Sequence, residues 1–303
     1  MRVLITGATG TIGRSVAERV RARGDQIVAT SRDPDRASRS LGPDAEVHRW
    51  PDPAAAPPPA EALRVDGIVH LIGEPIDQRW TEDARRRIHD SRVKSTEQLV
   101  AGLESLPEAE RPGVLVSQSA VGYYGDRGAE TLAEDARAGA GWLAGVVVAW
   151  EEAARRAPAG VRVVCTRTGV VLSPSGGALA KMLPFFKLGI GGPVAGGEQY
   201  VPWIHLDDVV GGLLHCLDHV DATGAANLTA PDPVTNKRLS SALGSVLKRP
   251  AVLPVPGFAV SLLYGQMAEL VTGGQRAVPA RLQALGYGFT QTDIEDALAD
   301  VLR

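Results

Sequence analysis

Met1-Arg-Val-Leu-Ile-Thr-Gly-Ala-Thr-Gly-Thr-Ile-Gly13 decides the fold. Val3 to Ile5 is a short apolar run that reads as a buried strand, and it breaks into Gly7-x-x-Gly10-x-x-Gly13. Ile12, Val16 and Val20 then recur at helical spacing, so a helix begins near Thr11. Strand, glycine turn and helix in that order make an anion cradle. A Cβ would block the backbone from a pyrophosphate, and the helix start offers unpaired N–H groups to negative charge. Gly7, Thr9, Gly10, Thr11, Ile12 and Gly13 are the expected dinucleotide contacts. Gly24 stops the helix, and Gln26-Ile-Val-Ala-Thr30 reads as a second strand.

The end of that second strand selects the cofactor. An NAD site of this kind places Asp or Glu there, to accept from the ribose 2′-hydroxyl. This chain has Thr30-Ser31-Arg32 instead. A guanidinium fork suits a 2′-phosphate, and a serine hydroxyl can donate to it as well. Ser31 and Arg32 therefore favour NADP(H) over NAD(H).

Composition sets the outer bounds. The chain has 303 residues, of which 44 % are hydrophobic and 22 % charged, as in a soluble globular protein. A net charge of −3 and the lack of a basic cluster with interleaved aromatics give no nucleic-acid signal. Cys165 and Cys216 stand alone, without metal-ligand spacing, so no metal site is expected and a reducing compartment is. A strand starting at residue 2 leaves no room for a signal peptide, and no apolar run approaches the ~20 residues needed to span a bilayer. A cytoplasmic protein without membrane partner, monomeric or homodimeric, is the expectation.

Strand signals at 2–6, 26–30, 46–49, 67–71, 113–117 and 161–167 alternate with helix signals at 11–23, 80–105, 142–156 and 207–219. This pattern predicts an α/β fold: a Rossmann doubly wound parallel sheet, with a smaller, mostly helical C-terminal lobe. The Rossmann part is expected over 1–172 plus about 203–230, and the substrate-side lobe over 173–202 plus 231–303. From Ser173 the chain turns glycine-rich and reads as loop, and Asp293 is the expected cap of a last helix. Ligands of such sheets bind beyond the carboxyl ends of the strands. That edge should carry Leu71, Ile72, Gly73, Glu74, Ser117, Ser119 and Thr168.

Four segments resemble the extended short-chain dehydrogenase/reductase superfamily. They are Thr6-Gly-Ala-Thr-Gly-Thr-Ile-Gly13, Asp66-Gly-Ile-Val-His-Leu71, Ser117-Gln-Ser-Ala-Val-Gly-Tyr-Tyr-Gly-Asp126 and Trp203-Ile-His-Leu-Asp-Asp-Val209. Gly73-Glu74-Pro75, Arg79-Trp80-Thr81, the doubled tyrosine and a tail carrying Arg249-Pro, Gly273-Gly-Gln-Arg and Arg281-Leu282 resemble its atypical "epimerase family" branch. Proteins of that branch are labelled NAD-dependent epimerase/dehydratase-like, usually without an established reaction.

The resemblance implies a serine that positions the substrate oxygen, a tyrosine acid/base, and a lysine four residues later that lowers the tyrosine pKa. Ser119 matches the serine. The pair does not appear: registering the helix on Glu151 puts Leu143 and Val147 at the two positions, and shifting by one puts Ala144 and Val148, or Trp142 and Val146. Lys94 and Lys181 bracket a lysine-free stretch, and Tyr124 and Tyr200 a tyrosine-free one. Either the acid has moved to Tyr123 or Tyr124, or the chemistry is lost and the protein is an NADP-binding regulator.

Other residues are candidates for the pocket. Lys181 and Lys187 flank Met182-Leu-Pro-Phe-Phe186 and would meet a phosphate or carboxylate, or else solvent. Gln199 and Tyr200 would read polar substrate groups. Glu74 is expected on the substrate side, away from the pyrophosphate, and Arg92 reaches back toward cofactor phosphate or pairs with surface acids. His205 is expected to orient Asp207 and Asp208 at a helix start. The favoured reading is an NADP-dependent oxidoreductase or epimerase-like enzyme acting on a small or nucleotide-linked carbonyl or hydroxyl compound.

Overall fold

Val3, Leu4 and Ile5 are wholly buried in strand β1 (Arg2–Thr6), which leads through the glycine turn into helix α1 (Thr11–Ala22). A computed structural model describes residues 1–303, with Leu263 and Tyr264 described by backbone alone. Helices of eight or more residues and the strands of the main sheet are numbered in chain order. After α1 come β2 (Gln26–Ser31), α2 (Pro34–Leu41), β3 (Glu46–Arg49), β4 (Gly67–His70), α3 (Glu82–Asp90) and α4 (Val93–Ser105). Then follow β5 (Val114–Ala120), α5 (Trp142–Arg155), β6 (Arg162–Thr168), α6 (Gly177–Lys187), α7 (Leu206–Asp218) and β7 (Gly224–Leu228). Helices α8 (Asn236–Leu247), α9 (Gly257–Tyr264) and α10 (Ile294–Val301) complete the chain.

The strands form one seven-stranded sheet in the order β7-β6-β5-β4-β1-β2-β3, every pairing parallel. Helices cover both faces, as the alternation predicted. On one face Val16 and Val20 of α1 meet Val209 and Leu213 of α7; on the other Leu99 and Leu103 of α4 meet Leu4 and Leu115. Parallel pairing brings the carboxyl ends Thr6, His70 and Ser117 into register at one edge. Strand order reverses between β1 and β4, so a crevice opens there.

The structure departs from the sequence pattern in three places. The helix expected over 80–105 is two, α3 and α4, broken at Ser91–Arg92. The stretch expected as loop from Ser173 contains α6, because Leu179, Leu183 and Phe186 form a buried stripe at helical spacing. The seventh strand, β7, forms over Gly224–Leu228, where the sequence carries no strand signal. A further core, with Leu183, Phe186, Trp203, Leu243 and Leu298, joins α6, α8 and α10. Asp293 caps α10 as expected, accepting from the Glu295 and Asp296 amides at 2.7 and 3.1 Å. Both cysteines are buried and unbonded, with thiols pushed up to about 12 by burial. Among the described residues, no helix is long and apolar enough to cross a membrane.

Candidate cofactor and active site

The turn after β1 tolerates nothing larger than glycine at two points. Gly7 sits at φ +68°, and a Cβ there would stand 2.9 Å from the Leu71 carbonyl oxygen. A Cβ on Gly13 would overlap Gly7 O and stand 2.7 Å from Ala8 Cα. The Gly10 amide closes the turn on Gly7 O at 3.0 Å. Helix α1 starts at Gly10 with no side-chain cap and no acid in its first turn, so its leading amides remain for an anion and nothing repels one. Thr9, Gly10 and Thr11 are exposed around this cradle, while Ile12 packs against the sheet core.

A buried polar chain fixes the opposite wall of the crevice. The Leu71 amide donates to Thr6 Oγ1 at 3.1 Å, and Thr6 Oγ1 lies 2.8 Å from His70 Nδ1. Thr96 Oγ1 donates to Arg92 O at 2.6 Å and accepts from Trp150 Nε1 at 3.1 Å. Its one proton is thereby used, so the His70 Nε2 atom 3.1 Å away must be a donor. His70 is then the neutral Nε2–H tautomer, accepting from Thr6, and burial holds its pKa down to about 4. Beyond it, Leu71 and Ile72 are half-buried and Gly73 is exposed against Arg92. The helix break is explained here. Ser91 Oγ accepts from the Glu74 amide at 2.9 Å and Arg92 Nη1 donates to Glu74 O at 2.9 Å, tying the loop after β4 to the gap between α3 and α4. Burial, opposed by Glu74, lowers Arg92 to about 10, and its guanidinium stacks 5.3 Å from the Trp150 ring. The Glu74 carboxylate accepts from Gln78 at 3.1 Å and faces Arg87 at 3.4 Å.

At the end of β2, Ser31 Oγ donates to Asp33 O at 3.0 Å and accepts from the Asp33 amide at 3.1 Å. The Asp33 carboxylate accepts the Arg36 amide at 3.1 Å, so it is used as the cap of α2. Arg32 is exposed and makes no ion pair among the described residues.

The residues considered for catalysis separate sharply. Ser119 is 1 % exposed and donates to Glu151 Oε1 at 2.7 Å. Glu151, itself buried, also pairs with Arg167 at 2.8 and 3.0 Å and with Arg155. Tyr124 is fully buried; its hydroxyl donates to Asn227 Oδ1 at 2.7 Å and accepts from Arg167 Nη1 at 3.0 Å. Burial pushes this phenol up, against the pull of Arg167. Both hydroxyls are thus spent inside the protein, which differs from the free acid expected of Tyr124. Tyr123 is half-buried, with the Arg167 guanidinium carbon 3.4 Å from its ring centroid. Arg167 keeps its charge despite burial because Glu151 and Tyr124 face it, and its pKa is raised. Ser117 and Thr168 are buried at the same edge, bonded only to backbone carbonyls.

The remaining candidates, Lys187 apart, are anchored. Lys181 pairs with Asp77 at 2.8 Å, and Lys187 is exposed. Gln199 donates to Val194 O and Val271 O at 3.0 and 2.8 Å, while the Tyr200 ring lies 5.0 Å from the Arg276 guanidinium. The expectation for His205 holds for its own element: Nδ1 accepts the Asp207 amide at 3.1 Å and caps α7. Asp208 differs. It accepts from Tyr287, from the Thr290 amide and hydroxyl and from the Gln291 amide, pinning the C-terminal tail. Arg167, Asn227 and the His70 chain were missed. Arg167, a charge near the carboxyl end of a strand with the apolar run Val163 to Cys165, was the legible signal, since a charge buried in a central strand needs a buried partner.

Residues 3–228 match the NAD dependent epimerase/dehydratase family. The chain belongs to that family. Residues 255–301 match a domain of unknown function, DUF1731. Among epimerase family relatives, the chloroplastic SDR39U1 homolog of Arabidopsis thaliana is 39 % identical over 100 % of this chain and 87 % of its own length. Human SDR39U1 is 34 % identical over 100 % of both chains. A crystal structure of the human protein with NADPH superposes with a TM-score of 0.89, at 33 % identity and 99 % coverage of each chain. A nucleoside-diphosphate sugar epimerase from Corynebacterium glutamicum gives 0.78 at 32 % identity, covering 100 % of this chain and 58 % of that one. The epimerase-family sheet is thus kept, while α5 holds neither the Tyr nor the Lys that the superfamily resemblance implies; in the register set by Glu151 their positions fall on Leu143 and Val147. Both face Gly122, where a Cβ would stand 3.1 Å from Leu143 and 3.8 Å from Val147, and Glu151 follows on the same helix face.

Proposed function

We propose that this chain binds NADP(H) across the β1/β4 crevice and acts as an NADP-dependent oxidoreductase or epimerase-like enzyme on a small or nucleotide-linked carbonyl or hydroxyl compound. The observation that carries the cofactor reading is the pairing of an uncapped, acid-free α1 start with a free Arg32, while Asp33 is consumed by its own helix. A pyrophosphate fits the tight turn that Gly7 and Gly13 allow to close on its own backbone, in front of the uncapped amides of α1. The NADPH bound to the human relative supports the same reading. Arg32 would hold the 2′-phosphate, Thr9 to Gly13 the pyrophosphate, and Leu71 to Gly73 the wall beyond β4. When bound, the nicotinamide supplies or accepts hydride.

Tyr123 is the proton donor in this reading, because the Ser119 and Tyr124 hydroxyls are committed internally. Arg167 supplies a fixed cation under its ring, in place of the absent lysine. Ser119 acts indirectly, by holding Glu151 against Arg167. Leu143 and Val147 favour a second reading, an NADP(H)-binding regulator without turnover. The purified protein, incubated with NADPH and a panel of carbonyl compounds, separates the two. Turnover lost in Tyr123→Phe and kept in Tyr124→Phe supports the enzyme; tight NADPH binding with no turnover supports the regulator.

A further inference from the structure

Residues 173–197 and 233–268 contain no Asp or Glu, yet hold Lys181, Lys187, Lys237, Arg238, Lys248 and Arg249 in a chain of net charge −3. Four of the five lysines of the protein are among them. The two segments touch. The Ala195 amide donates to Val255 O and the Val255 amide to Pro193 O, both at 2.9 Å, and Gly189 lies against Pro250. Lys181 and Arg238 pair with Asp77 and Glu295. The other four cations have no carboxylate partner among the described residues. Glu198 and Glu269 bound the acid-free segments in sequence.

The same two segments carry the protruding apolar side chains. Leu188 is 74 % exposed, Val252 76 %, and Phe258 and Leu262, one turn apart on α9, 77 % each. Phe185, Ile190 and Leu253, in the same segments, stand half out of the surface. Between the segments runs a groove of about 680 Å³, lined by Lys237, Ser241, Ser245, Lys248, Arg249 and Val252. Lys237, Ser241 and Ser245 follow one face of α8, and Lys248 caps its end, so a cation stands at each end with hydroxyls between. Lys248 holds φ +53°, where glycine is the ordinary residue, and so sets a cation at the groove's mouth.

Apolar side chains that project from the same two segments as the unpaired cations have the composition of an interfacial surface. A second copy of this chain is a poor occupant, because a two-fold contact would set these cations against their own images. We propose that this face docks on an anionic lipid bilayer. A headgroup phosphate lies in the groove among Lys237, Lys248 and Arg249, and Leu188, Val252, Phe258 and Leu262 enter the headgroup–acyl boundary. No spanning helix is needed for such docking. Anionic lipid supplies the charge complement, at about fivefold in partition per cation near the surface.

Co-sedimentation of the full chain with vesicles tests this, using phosphatidylcholine alone and phosphatidylcholine with 30 mol % phosphatidylglycerol as the two arms. Binding to the anionic vesicles only is expected, weakening as salt rises. Lys187→Gln/Lys248→Gln should lower partition by roughly twenty-fivefold. Leu188→Ser/Val252→Ser should lower it too, with an unchanged unfolding midpoint, since all four side chains are exposed. Equal recovery of wild type and variants, or no binding to anionic vesicles, overturns the proposal. So does a salt-resistant dimer in sedimentation velocity that the Leu188/Val252 variant dissolves, or retention on poly-glutamate with no vesicle binding.

Discussion

Arg32 makes the most specific demand of any single residue. It is exposed, unpaired and next to an aspartate already used as a helix cap, so its charge is available to a ligand. Arg32→Asp should weaken NADPH relative to NADH by about 1–3 kcal/mol, the range of a charge-assisted contact. Fluorescence titration with both dinucleotides measures it, and an unchanged ratio removes the 2′-phosphate role. Ser119 makes the opposite demand. Its hydroxyl meets a buried, arginine-paired carboxylate, so Ser119→Ala should cost about 1.5–3 kcal/mol of stability. Glu151→Ala strands the Arg167 charge and should cost more, roughly 3–5 kcal/mol. Denaturant unfolding gives the order. If Ser119→Ala keeps wild-type stability while losing activity, Ser119 touches substrate after all.

At the scale of elements, the Thr6–His70–Thr96–Trp150 chain ties β1, β4, α4 and α5 behind the crevice. His70 has a folded pKa of about 4, below the ordinary histidine value of about 6.5. Above that ordinary value neither state binds the proton and His70 adds no pH dependence. As pH falls from there toward 4, the unfolded chain takes up a proton that the folded chain refuses, so stability drops. The loss approaches about 3 kcal/mol and levels off below the folded pKa. Unfolding free energies at pH 7, 6 and 5 should show this slope, and His70→Gln should flatten it; a parallel slope in the variant would assign it elsewhere. The sheet's first six strands were legible, because all but β3, the edge strand Glu46-Val-His-Arg49, carry apolar runs bounded by turn residues. Strand β7 was not: Gly224-Ala-Ala-Asn-Leu228 has no β-branched or aromatic residue, and its strand form comes from pairing with β6. The break at Ser91–Arg92 was hidden for the same kind of reason. No Gly or Pro marks it, and it arises from bonds to Glu74 that are distant in sequence. The anion cradle was legible because its glycines act locally. The commitment of Ser119 and Tyr124 was not, because Glu151, Arg167 and Asn227 reach them from other elements.

Across the whole molecule, Asp208 joins the family sheet to the C-terminal extension. It is fully buried on α7 and accepts four bonds from residues 287–291, while Tyr287 fills the space beside Gly211, where a Cβ would collide with its hydroxyl. Asp208→Ala should leave those donors unmet, cost at least about 2 kcal/mol, and expose the chain near Arg281 to trypsin. An unchanged digestion pattern would show that the tail holds by its apolar contacts alone. The central claim concerns the other end of the chain, where β1 turns into α1. Isothermal calorimetry of the wild-type protein with NADPH and with NADH tests it most directly. The account predicts heat with NADPH, tighter binding than for NADH, and loss of both signals in Gly13→Ala; no heat with either dinucleotide would contradict it.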